Sequence, residues 1–262
     1  MSGASHTSTL HRYLAGGWAL FLTRWSVPLI WLILLLLLTF GMSHMEGVFR
    51  LVEPDTREVI YRRTSFAALL GQHLLVVGVA SLLAILLGVG AAIAVTRPAG
   101  RDFQPMVAQL ASIGQTFPPV AVLALAVPAL GFGTLPIIVA LLLYGLLPIV
   151  RNTLAGLSGI DAGVREAARG MGMTGGQILR QVELPLAAPV ILAGIRTSVT
   201  INIATAAIGA TVGASNLGDP IISGIVNGNT AYIVQGAVLI GLLAITIDSL
   251  FDRLQRHRPL ST

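Results

Sequence analysis

The sequence predicts an all-α integral membrane protein with six transmembrane helices, and three observations predict it. The 262 residues are 55% hydrophobic and 10% charged, where a water-covered domain carries roughly 25% charge. Apolar runs long enough to cross a bilayer, about 20 residues, recur from Val27 to Leu250. The arginines gather on one side of those runs. This composition excludes an ordinary soluble enzyme, a disordered chain and a disulfide-stapled secreted domain.

The first span lies between Arg24 and Glu46, with its apolar centre at Val27–Met42. It follows a basic stretch as a signal peptide does, but no small-x-small cleavage site follows its core, so it reads as a retained helix. The second runs Leu69–Val95 and closes at Arg97-Pro98. Residues 103–150 carry no charge and are too many for one span. A break at Gly131-Phe132-Gly133-Thr134 divides them into Pro105–Leu130 and Leu135–Val150. The fifth covers Pro189–Val212 and the sixth Tyr232–Leu250, ahead of Asp252 and a basic tail. The plan is thus a tail at 1–24, a six-helix body at 25–251 that includes a long loop at 151–188, and a tail at 252–262.

Short basic loops stay in the cytoplasm. With the N-terminus inside, twelve of the 16 arginines face the cytoplasm, against four outside: Arg50, Arg57, Arg62 and Arg63. Both termini are then cytoplasmic. The net charge of +5 reports topology rather than a nucleic-acid surface. Composition leaves little for catalysis: there is no cysteine and no lysine, which removes thiol chemistry, Schiff bases and the phosphate-binding lysine of an ATPase loop. The histidines His6, His11, His44, His73 and His257 have no paired metal spacing.

Loop 151–188 is too apolar and too patterned for a passive linker. Ser158-Gly159-Ile160-Asp161 and Thr174-Gly175-Gly176-Gln177 both fit a helix start in which a hydroxyl caps one amide and an acid or amide reaches back. The first opens a helix through Glu166-Ala167-Ala168-Arg169, ended by Gly170 and Gly172. The second opens a helix expected to stop before Pro185. Glu166-Ala167-Ala168, Gly172, Val182 and Leu184-Pro185, in this spacing, resemble the EAA loop of binding-protein-dependent ABC importer permeases, with Val182 where the family usually has Ile. The resemblance covers about Leu69–Leu250. It is nearest the osmoprotectant branch, through Gln115–Pro118, Tyr144–Thr153, Glu166–Thr174, Gly194–Thr197 and Leu217–Asp219. Methionine-importer permeases share the loop.

That resemblance implies the type I ABC importer fold, similar to methionine permeases, in the bacterial inner membrane. It also implies a dimer with itself or a related permease. In the family this loop is a coupling helix docked in a cleft of a separate ATP-hydrolysing subunit. The contact would then fall on Glu166, Ala167, Ala168, Arg169, Gly170, Gly172, Leu184 and Pro185. ATP and Mg belong to that partner, so this chain is expected to bind no cofactor or metal and to be a transport subunit rather than an enzyme. A separate periplasmic or lipid-anchored binding protein would select glycine betaine, carnitine or choline-type compounds, since the chain has no room for a fused binding domain.

Tyr144, Thr200, Asn202 and Thr205 are candidates for lining the route. Asn216, Asp219 and Asn227 are candidates for docking a binding protein, with a solvated polar loop as the alternative. Arg196 reads as snorkelling to the surface, His73 and Asp248 as interfacial, and Trp18, Trp25 and Trp31 as interface anchors. Pro118, Pro119, Pro128, Pro136 and Pro148 kink the third and fourth spans, which a gate would use and a bundle also tolerates. Small residues from Ala193 to Gly213 permit close helix packing. One rival is another small-solute importer of the methionine or amino-acid type. A lone secondary transporter or channel would require intramembrane ionisable residues and an internal repeat. A membrane-embedded enzyme or scaffold is the last, and no Ser/His/Asp or metal constellation is legible.

Overall fold

A computed structural model describes residues 25–256, and among them every regular element is helical. The segment 1–24, with Trp18, and the residues after 256 lie outside this range. Trp25–His44 forms α1, followed by the short α2 (Glu46–Val52) and the long α3 (Phe66–Thr96). Ser65 starts α3 by accepting the Ala68 amide on its hydroxyl. On α1 the outward residues Ile30, Ile33, Leu37 and Phe40 are all exposed, three or four positions apart on one helix face. Thr39 and Leu35 on the other face are buried. Such an apolar exterior is stable only against lipid or another protein. Trp31 is partly buried and packs against the core.

The third span departs from the expected single helix at Pro105–Leu130. It consists of α4 (Gln104–Thr116) and α5 (Pro119–Leu130), and the helical stretches 101–116 and 119–130 are bent by 95°. Pro118 and Pro119 supply no backbone N–H, and Phe117 before them is held extended (φ −81°, ψ 135°). The halves diverge and leave an open apolar groove of about 730 Å³, lined by Leu87, Val107, Leu110, Phe117, Leu125 and Leu143 among others. Gly131 (φ 77°) and Gly133 (φ 113°) make the expected turn.

The fourth span also runs past its expected end at Val150, since α6 covers Thr134–Ser158. A short α7 (Ala162–Gly170) follows. Then α8 (Gly175–Ile178) continues through a π-helical turn at Leu179–Glu183 into α9 (Leu184–Thr205), and a 3₁₀ stretch carries it to Val212. The helix that carries the fifth span therefore begins at Gly175, ahead of the expected span at Pro189–Val212, and the segment between the helices of the fourth and fifth spans shrinks from 151–188 to 159–174. Finally come α10 (Asp219–Asn227) and α11 (Thr230–Arg256).

Two contacts fix the sides. Arg97, just after α3, reaches Glu183 before α9, and the Gly133 amide donates to Val212 O at 2.7 Å. The start of α6 thus lies beside the end of the fifth span, and the end of α3 lies beside its beginning. The bent pair joins these two ends, so it crosses once. Among the described residues, with the bent pair as one span, this gives six crossings, and residues 25 and 256 fall on the same side. Helices α3, α6 and α9 form the centre, and all three meet at Gly145. A Cβ there would lie 2.7 Å from Ser198 Oγ and 3.2 Å from Ala84 Cβ.

Candidate functional site

The sequence placed its strongest signal around α7, and the structure builds a projecting corner there. Asp161 is the residue that starts α7: its carboxylate accepts the Gly163 amide at 2.7 Å. Ser158, expected to cap, instead ends α6. Gly172 sits at φ +81°, where L side chains are strained, and it turns the chain toward α8. Thr174 and Gln177 then form the expected reciprocal capping box.

The helix does not stop before Pro185. Proline cannot donate to the preceding turn, and the widened π turn at Leu179–Glu183 takes up the mismatch. At about 1.5 Å per residue, the 38 residues of Gly175–Val212 exceed a hydrocarbon core about 30 Å thick. Part of this helix must then lie outside the membrane, and α7, which packs extensively on none of the long helices, stands at the end where it begins.

On α7 the residues Glu166, Ala167, Arg169 and Gly170 are exposed, as is Gly172 after it, and Met171 is 74% exposed. Ala168 is buried against the protein. Leu184 is half-buried and Pro185 exposed on the following helix. Beneath α7 is a polar cleft of about 360 Å³ lined by Arg97, Arg101, Arg165, Arg169 and Glu183. Glu183 is only 3% exposed. Its two oxygens accept from Arg97 Nη1 at 2.6 Å and Arg165 Nε at 2.8 Å. Sequence reading passed over Glu183, because its arginine partners lie 86 and 18 residues away.

The proposed route residues fall into different settings. Asn202 is fully buried and donates from Nδ2 to Ser81 Oγ at 3.1 Å, tying α9 to α3. Thr200 and Thr205 are half-buried on α9. Tyr144 donates its hydroxyl to Phe117 O, and its own carbonyl accepts from Gln115 Nε2 at 2.8 Å. Pro148 cannot supply the helical donor for Tyr144 O, so Gln115 replaces it across the α4–α6 contact. Two further expectations change. His73 is fully buried, not interfacial, with Nε2 3.0 Å from Ile203 O. Arg196 is not simply snorkelling: it grips Asp248 through Nε and Nη2 at 2.5 and 2.6 Å, joining α9 to α11.

Comparison with known proteins places this architecture. Residues 84–258, which include α7 and its flanking spans, match the family described as binding-protein-dependent transport system inner membrane component. The chain belongs to that family. The permease is 47% identical to the osmoprotectant import permease protein OsmY of Salmonella typhimurium, over 69% of this chain and 77% of that one. It is 42% identical to the glycine betaine/carnitine/choline transport system permease protein OpuCB of Bacillus subtilis, over 78% and 90%. Among solved structures, the MetNI methionine ABC transporter in inward-facing conformations matches with a TM-score of 0.64 and 26% identity, covering 73% of this chain and 94% of that one. The fold is that of type I ABC importer permeases, as the EAA resemblance implied.

At the end of the permease opposite α7, residues 53–61 lie across α10 and α11. Gln235 is fully buried and serves this segment as a strand would: it accepts the Tyr61 amide at 3.0 Å and donates to Val59 O at 2.5 Å. Tyr61 and Tyr232 stack edge-on at 5.6 Å. Asn216, read as a docking residue, is fully buried, and it holds its own turn through the Ala214 carbonyl and the Gly218 amide. Asp219 accepts from the Asn216 amide and Ser215 Oγ. Burial pushes its carboxyl above the usual range, against the pull of those two bonds. Asn227 is exposed and borders a pocket with Arg57, Arg62 and Arg63.

Proposed function

We propose that this chain is the membrane-spanning subunit of an ATP-driven, binding-protein-dependent importer of osmoprotectants of the glycine betaine, carnitine or choline type. The observation that carries the coupling is the projecting α7, whose outer face of Glu166, Ala167 and Gly170 has room for a close-fitting partner. Those small residues allow near approach, and Glu166 and Arg169 supply charge for a polar interface. The substrate class rests on the relatives' names.

In this reading α7 lies on the cytoplasmic side, in keeping with the arginine bias, and both termini lie there too. It docks in a cleft of an ABC ATPase subunit, which binds ATP and Mg and performs the hydrolysis. Two permease copies, or this chain and a related one, assemble with two ATPases. Closure of the ATPases on ATP pushes the coupling helices together, and the spans rock from inward- to outward-facing. A binding protein delivers the solute to the outer face near Asn227 and Asp219. Leu184 and Pro185 carry the movement of α7 and α8 into the fifth span, where Thr200 and Thr205 are placed along the route. A methionine or amino-acid importer is the second reading, supported by the match to the methionine transporter.

The test is reconstitution in liposomes with the adjacent ATPase and binding protein, following labelled glycine betaine and choline. Uptake should require ATP and binding protein and should vanish with Gly172→Asp. Stimulated ATPase without uptake of either compound would move the substrate to the second reading. Failure to associate with any ATPase would remove the importer reading.

A further inference from the structure

Helix α7 meets the short α8, and no membrane helix packs extensively against it. A push on its outer face therefore needs a specific path into the bundle. The path lies under Arg165, on the inner side of α7. Its Nη1 donates to Ile160 O at 3.0 Å and Nη2 to Leu157 O, which bind it to the end of α6. Its Nε donates to Glu183 Oε1 at 2.8 Å. The other oxygen of Glu183 accepts from Arg97 Nη1 at 2.6 Å, and Arg97 follows the last residue of α3.

Glu183 itself is on the π turn that leads into α9, a kind of distortion common at working positions in helices. Burying a carboxylate is costly. Two guanidinium partners offset the cost, but an apolar side chain of similar size would serve stability about as well. What the ionic arrangement adds is direction: one buried group fixes α7, α3 and the head of α9 in a single register.

We propose that Glu183 is the positioning residue that transmits a displacement of α7 to the membrane helices α3 and α9. This rests on the coupling reading of α7 given above. Arg165 is the input arm and Arg97 the output arm. A protonated or amide side chain at this position would keep one hydrogen bond and lose the charge-assisted grip on both arms.

The chain has no cysteine, so a labelled pair reports without background. Val164→Cys on α7 and Leu86→Cys on α3, both exposed, carry spin labels in lipid nanodiscs. The parent pair should give a narrow distance distribution. Glu183→Gln should broaden it, and Arg97→Gln should broaden it while leaving the Arg165 arm in place. Adding Arg165→Gln to Glu183→Gln should broaden it by less than the sum of the two changes, because both remove the Arg165–Glu183 link.

In the assembled transporter, uptake per ATP hydrolysed should fall at least tenfold in Glu183→Gln. Glu183→Asp should recover part of the ratio. A purely structural role would lower the amount of folded protein and leave that ratio unchanged. An unchanged distance distribution in folded Glu183→Gln, or an unchanged ratio, overturns the proposal. Absence of ATPase binding by the parent chain would instead strike the coupling reading, and the distance measurement would still decide whether Glu183 holds α7 in place.

Discussion

Two glycines separate backbone strain from packing. At Gly172 nothing lies within 4 Å of an added Cβ, but φ is +81°. A side chain there costs roughly 1–2 kcal/mol of backbone strain with no clash. The cost falls on the α7–α8 turn alone, so Gly172→Ala should leave the melting temperature of the bundle unchanged and weaken capture of the ATPase in pull-down. Gly172→Asn should do less harm, since asparagine tolerates this conformation. Gly145 is the opposite case. Its Cβ would press Ser198 Oγ at 2.7 Å and Asn202 Nδ2 at 3.2 Å, where three helices meet. Overpacking of this kind costs about 1–3 kcal/mol, so Gly145→Ala should lower the melting temperature in detergent. If Gly172→Ala lowered it as much, the separation between a local corner and a packed centre would be wrong.

The bent third span shows how a local break becomes a fixed shape. Pro118 and Pro119 end one helix and begin the next, but prolines alone set no angle. The angle is held from α6, where Tyr144 donates to Phe117 O and Gln115 donates to Tyr144 O. Each bond serves a carbonyl left without its helical donor, and a backbone group facing hydrocarbon has no water to pair with instead. Tyr144→Phe and Gln115→Leu should each broaden the distance between spin labels placed on Leu110 and Leu125, with α6 intact by circular dichroism. A bend that stayed sharp in both variants would assign the angle to the prolines. The break at Gly131–Gly133, the capping box at Thr174 and the turn at Gly172 were legible in the sequence because each is decided within a few residues. The bend was not, and neither was the partner of Arg196, because Asp248 is 52 residues away. Pro185 misled for a related reason: it cannot donate to the preceding turn, and the helix continues through a widened π turn closed by the Leu184 amide on Leu179 O.

At the scale of the whole molecule, six crossings put residues 25 and 256 on one side together with α7, while α10 and the pocket at Asn227 lie on the other. The geometry relates the sides to one another; the arginine count names them. The sequence assigns twelve arginines to one side of its spans and four to the other, so the proposed orientation, with α7 toward the cytoplasm, is the one that the positive-inside rule favours. The absence of cysteine makes this directly readable. Met171→Cys lies at the tip of the α7 corner and Asn227→Cys on the opposite face, both exposed. In intact cells with a permeabilised outer membrane, a membrane-impermeant maleimide should modify Asn227→Cys and spare Met171→Cys. In inverted inner-membrane vesicles the pattern should reverse. Labelling of Met171→Cys from outside would invert the protein and leave no cytoplasmic ATPase within reach of α7. The arginine argument and the coupling argument would then fail together. The expected pattern would bind them: a corner built from Asp161, Gly172 and Thr174 would be presented to the compartment that holds ATP, with Glu183 behind it to pass the motion on.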